Sequence, residues 1–110
     1  MLTRVRLEER TIRIPLSSGT ERTVTFPTRI AEVVGFAQVV AVRCDADPYM
    51  LQDRNVFGVT DTSAEVWRVD ARMAGSICTG LSAQGEHLIA ALGDGRAVLL
   101  DPMTGRLLQL

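Results

Sequence analysis

Three kinds of side chain in this 110-residue sequence have the means to do chemistry: one histidine, His87, two cysteines, Cys44 and Cys78, and a short run of carboxylates, Asp45, Asp47 and Asp53. His87 follows Glu86, and an imidazole beside a carboxylate is the beginning of a general-base pair. Neighbouring residues of a strand point to opposite faces, so Glu86 is badly placed to orient His87, and the expectation is a histidine at the solvent edge of a strand. Asp45-x-Asp47 opens like a calcium loop, with Tyr49, Gln52 and Asp53 close behind. The glycine that would turn such a loop is missing and Pro48 follows directly, which points to a solvated turn. A small-ligand or metal-binding domain using the 45–53 loop with His87 stands as the alternative reading.

Cys44 and Cys78, 34 residues apart, lie in the apolar stretches VVAVRC and SIC. They read as reduced, half-buried small hydrophobes. With His87 they are too few for zinc, and no CxxC or HxxxH spacing supports one. Gly93-Asp94-Gly95 lacks the GK[ST] and the helix of a phosphate loop and reads as a hairpin turn. None of Ser17, Ser18, Ser63, Ser76 and Ser82 stands in a G-x-S-x-G. The expectation is a protein that is not an enzyme, with no catalytic residue, no cofactor and no metal ligand.

Charge narrows the partners. Twelve basic residues, all arginine, face thirteen acidic ones for a net charge of −1, so the mean field attracts neither a polyanion nor an anionic membrane. Residues 1–30 hold six arginines and three glutamates, a local +3, and the rest carry −4. Arg4, Arg6 and Arg13 on the outer face of an N-terminal hairpin are the nearest thing to an anion patch, but 5% aromatic residues offer little stacking platform for nucleic acid. The sequence starts without a basic-then-apolar leader and has no apolar run near about 18 residues, so the expected location is cytoplasmic, away from the membrane.

These residues must be carried by strands. A composition 46% hydrophobic and 23% charged, with four prolines, excludes a disordered tail or a disulfide scaffold, and the length suits one domain. Period-two alternation runs through Thr3–Glu8 and Thr11–Leu16, which turns Val5, Leu7, Ile12, Ile14 and Leu16 inward and the arginines outward. Pro15 suits only an edge or a strand end. Arg22–Phe26 is a third strand. Residues 29–43, RIAEVVGFAQVVAVR, also satisfy a helical stripe, but their valines are β-branched and Gly35 interrupts them, so the reading is two strands, 29–34 and 38–44, hinged at Gly35-Phe36-Ala37. Further strands are expected at 55–60, 65–69, 86–92, 96–101 and 106–110. Gly93-Asp94-Gly95 turns one hairpin and Asp101-Pro102-Met103-Thr104-Gly105 the next, its aspartate accepting backbone N–H groups and Gly105 taking the left-handed position. Trp67, Tyr49, Phe26, Phe36 and Phe57 read as core.

Placing residues 56–69 over 97–110 superposes Asp61 on Asp101 and, with one residue's slip, Trp67 on Leu108. Residues 33–43 and 80–92 match as a turn followed by an apolar strand. The offset is about 40 residues, the spacing of propeller blades. The stretch RAVLLDPMTGRLLQL resembles a blade of the pyrroloquinoline-quinone-dehydrogenase type or its WD-type propeller relatives, with Asp101, Thr104, Gly105 and Arg106 on the pattern. That family's docking tryptophan would fall near Gln109, and the first repeat has Ser63-Ala64 where Thr-Gly is usual. The chain also resembles small stand-alone bacterial proteins of unknown function with the same order of elements. The resemblance implies blade-like hairpins and transfers no quinone or calcium ligand.

The expected architecture is all-β: an antiparallel meander with two propeller-blade-like repeats, 29–70 and 75–110, plus an N-terminal hairpin region, 1–28, folded as one small sandwich or barrel. Two blades cannot close a ring. The apolar strand at Leu107, Leu108 and Leu110 is therefore expected to pair inside the chain or to be buried in a homodimer. The functional expectation is a protein-interaction or scaffold module acting through its sheet edges, as a homo-oligomer or with a further protein partner.

Overall fold

The computed structural model describes residues 6–15, 19–45, 54–60, 66–70 and 77–109, and these carry eleven strands and no helix. Among them no helix is long and apolar enough to cross a membrane.

The first sheet follows from simple alternation. Strands β1 (Arg6–Leu7), β2 (Thr11–Pro15) and β3 (Glu21–Thr25) pair antiparallel in that order. Ile12 and Ile14 are fully buried on one face. Arg13 lies opposite Thr23, and Thr11 opposite Thr25, on the other. Pro15 occupies the last position of β2, where its missing N–H interrupts no further ladder bond. Val5, Leu16 and the Leu7 side chain fall outside what is described.

Two four-stranded meanders follow, β4 (Ile30–Gly35), β5 (Val39–Cys44), β6 (Val56–Thr60), β7 (Val66–Arg68), then β8 (Cys78–Gln84), β9 (His87–Leu92), β10 (Ala97–Leu100), β11 (Leu107–Gln109). In both, every strand pairs antiparallel with its chain neighbour. The stretch with helical as well as strand character is thus a β-hairpin, closed where the Phe36 N–H donates to the Val39 carbonyl at 2.8 Å. Strands β4 and β8 begin 48 residues apart, as do β5 and β9, whereas β6 and β10, and β7 and β11, are 41 apart. The difference is the longer β5–β6 connection.

The β4–β7 sheet is the middle layer of a three-layer sandwich, and its ladders leave open edges rather than closing a barrel. Val40, Val42, Cys44 and Val59 pack with Ile12, Ile14, Val24 and Phe26 from the first sheet. Ala41, Val56 and Val69 pack with Cys78, Leu88, Leu92, Val98 and Leu100 from the third. A strand covered on both faces carries apolar residues on both, which is why residues 39–42 in β5 and 56–59 in β6 do not alternate with polar ones, Arg43 and Thr60 coming toward the strand ends. The expected aromatic core holds for Phe26, which meets Phe57 at 5.3 Å between ring centroids. Tyr49 lies outside the described residues.

One expectation changes. Residues 80–85, read as a turn, contain most of β8, and the turn is only Gly85-Glu86. A bulge between Cys78 and Gly80 shifts the register, so the inward residues are Cys78 and Leu81, three apart. A period-two search misses a strand interrupted in this way.

Two polar struts hold the layers in register. Asn55 is buried, and its amide nitrogen donates to the Cys44 and Cys78 carbonyls at 2.9 and 3.0 Å while its oxygen accepts the Cys78 N–H at 3.0 Å. Glu32 accepts the Leu81 N–H at 2.7 Å and Arg43 Nε at 3.0 Å, tying β4 to β8.

Candidate interaction surface

The outer strands of the two meanders meet through Trp67. Its Nε1–H donates to the Pro102 carbonyl at 2.9 Å, across from β7 to the turn before β11. The indole reaches this position because Gly58 on β6 and Gly105 in the turn both lack a Cβ, which at either place would overlap the ring. Gly105 also has φ +74°, the left-handed conformation its place in the Asp101–Gly105 turn demands. That turn is built as its sequence predicts: the Asp101 carboxylate accepts the Met103 N–H at 2.9 Å, and its carbonyl accepts the Thr104 and Gly105 N–H groups.

Beside this joint run the outer edges of both sheets, since β7 and β11 are the last strands in their orders. Val66 on β7 is 45% exposed, Met103 in the turn 41% and Leu108 on β11 50%. The fourth large apolar side chain left this open among the described residues, Ile77 at 44%, lies near the β9–β10 turn, where its carbonyl accepts the Gly93 N–H. Of the residues expected at an interface, Leu107 packs inward against the core between the two meanders, Leu108 is exposed, and Leu110 lies outside the described residues. The Asp70 carboxylate accepts the Leu107 N–H at 3.0 Å. One donor of the β11 edge is thereby occupied from within the chain. Val66 and Met103 were not apparent from the sequence, because neither lies in a period that marks an edge.

At the same end of the molecule the tips of three hairpins enclose a cleft of about 710 Å³. Phe36, Ala37 and Gln38 come from the β4–β5 turn, Gly85, Glu86 and His87 from the β8–β9 turn, and Asp101, Pro102 and Met103 from the β10–β11 turn, with Leu108 beside them. Pairing of Leu88 with Leu100 sets His87 and Asp101 at the heads of adjacent strands. The carboxylate that shares the histidine's cleft from a neighbouring strand is therefore Asp101, 14 residues away in sequence, a partner that local spacing conceals.

The other candidate groups are engaged structurally. Asp45 pairs with Arg29 at 3.0 Å, and Asp47, Tyr49, Gln52 and Asp53 lie outside the described residues. The described residues contain no group of three or more side chains able to hold a metal ion. Cys44 and Cys78 are free, buried and in different cores. Burial pushes the Cys44 thiol up to about 11, only partly opposed by a hydrogen bond with Thr28. Burial also raises Cys78, against a hydrogen bond to the Gly80 carbonyl. Arg13 is paired with Glu8 at 3.2 Å, which takes up one cation of the N-terminal patch. Arg4 and the Arg6 side chain are outside what is described. In the Gly93-Asp94-Gly95 turn, the Arg96 N–H and guanidinium hold the Asp94 carboxyl below the usual carboxylate range.

Compared with known proteins, residues 2–110 match the family profile of a domain of unknown function, DUF7957. No curated protein and no solved structure matches the chain.

Proposed function

The chain belongs to the DUF7957 family, and we propose that it is a non-enzymatic protein-interaction or scaffold module that associates with further copies of itself along the β7 and β11 edges. The observation that carries this reading is that β7 and β11, both edge strands, are joined through Trp67 and each leaves a large apolar side chain open, Val66 on β7 and Leu108 on β11, with Met103 in the turn before β11. Apolar side chains left open on unpaired strand edges mark contact surfaces. Covering the exposed half of each contributes about 1 kcal/mol. Three such side chains from each of two copies give about 6 kcal/mol, at the low end of the roughly 4–15 kcal/mol that association costs, so a stable contact also draws on the rest of both strands. With the Leu107 N–H already taken by Asp70, side-chain burial carries more of the contact than ladder pairing at that position.

In the same reading the two meanders are propeller-blade-like units. Their common strand order, the 41-residue offset of their last two strands and the docking of Trp67 on the next unit's turn support it. The buried, protonated thiols leave neither cysteine ready as a nucleophile and suit a reducing, cytoplasmic location.

Size-exclusion chromatography with light scattering tests the association. The wild-type protein should elute at a multiple of the monomer mass and a Val66→Lys/Leu108→Lys variant as a folded monomer. A wild-type monomer at high concentration overturns the self-association.

A further inference from the structure

The cleft between the three hairpin tips is apolar in its walls and acidic in its charges. Among the described residues that line it, Phe36, Met103 and Leu108 supply the apolar surface, and the charged or titratable groups are Glu86, Asp101 and His87. The chain has twelve arginines, yet none of them is among these lining residues. Two carboxylates are thus gathered at a concave surface, with no guanidinium of the same lining to neutralise them. The volume, about 710 Å³, is of the size that accepts an arginine-length side chain together with an apolar neighbour. The Asp101 carboxylate is held in place by the Met103 N–H at 2.9 Å, so the acidic group is positioned before anything binds.

We propose that this cleft receives a basic–apolar segment of a partner polypeptide, with a cationic side chain directed to Glu86 and Asp101 and an apolar side chain seated on Phe36, Met103 and Leu108. The inference deepens the interaction-module reading and rests on it. Charge complementarity selects the cation, because a guanidinium makes charge-assisted hydrogen bonds to carboxylates that a neutral or acidic side chain cannot. Met103 and Leu108, both substantially exposed at the cleft, select a polypeptide over a free amine, since an adjoining apolar side chain is needed to cover them.

The protein contains a single tryptophan, and Trp67 is hydrogen-bonded to Pro102 in the cleft wall, so its fluorescence reports occupancy. The probes are a blocked tetrapeptide of sequence RFRL, the same peptide with citrulline replacing both arginines, and phenethylamine. The arginine peptide should bind at least about tenfold tighter than the citrulline peptide. Glu86→Gln, in an exposed turn, should weaken the arginine peptide at least threefold without lowering the melting temperature, and Leu108→Gln should weaken both peptides. Equal binding of the two peptides, binding of neither, or indifference to Glu86→Gln overturns the proposal. Phenethylamine binding as tightly as the arginine peptide overturns the polypeptide occupant. Because Met103 and Leu108 serve both contacts, the titration is run on the monomeric Val66→Lys variant as well as on the wild type, and light scattering separates the readings: a self-associating protein whose monomeric variant ignores the peptides sinks the cleft alone, and a wild-type monomer that binds them sinks the self-association alone.

Discussion

The indole of Trp67 rests on Gly105, joining the outer strand of one meander to the turn that starts the outer strand of the next. Two independent constraints meet at this glycine, its left-handed φ and the ring that fills the place of its side chain.

Gly105→Ala should therefore cost about 2–5 kcal/mol, from roughly 1–2 for the backbone and 1–3 for the overlap. Gly35→Ala is the control, since an added Cβ there meets nothing within 4 Å and φ is not positive. Denaturant unfolding of both variants measures the contrast, and a Gly105→Ala loss no larger than that of Gly35→Ala would contradict the joint.

Asn55→Ala should destabilise the protein by about 3 kcal/mol or more, because it orphans the Cys44 carbonyl and the Cys78 N–H and carbonyl, at about 1–3 kcal/mol for each buried group left unpaired. A loss below about 1 kcal/mol would show that water replaces the amide at the junction of the layers.

Adjacent residues of β9 should differ sharply. His87 is exposed and Leu88 fully buried, so His87→Ala should stay within about 0.5 kcal/mol of wild type while Leu88→Ala should cost about 2–5 kcal/mol. Similar losses at both positions would mean that the register of β9 is wrong.

The thiols set an alkaline limit. In the unfolded chain Cys44 loses its proton near its ordinary value of 9, whereas the folded protein holds it to about 11. The folded state then binds more protons between those values, so the stability from this group is fully present below pH 9 and is lost as pH rises through 11. The loss is on the order of 2 kcal/mol. Cys44→Ala should flatten the stability profile over that window. At neutral pH neither thiol should react with a disulfide reagent until the protein is unfolded, and rapid labelling of the native protein would refute their burial.

The fold class follows from local rules that act within a few residues. Alternation puts Ile12 and Ile14 on one face, and β-branching with Gly35 breaks residues 29–43 into strands. The Asp101–Gly105 segment carries its own turn. These features need only steric preferences and short hydrogen bonds, and the structure has each of them. Strand β8 escaped the same rules because its bulge replaces a two-residue spacing with three.

The surface is a different matter. Nothing in the spacing of Glu86, Asp101 and Phe36 indicates that they share a cleft, or in Val66 and Met103 that they stay exposed. Leu107 and Leu108 look alike as neighbours, yet one packs inward and the other stays in solvent. Local pattern assigns a residue to a strand and a face, which is a matter of neighbouring torsions. Which face meets another sheet and which meets water depends on how the three layers stack, and that is a property of long-range packing.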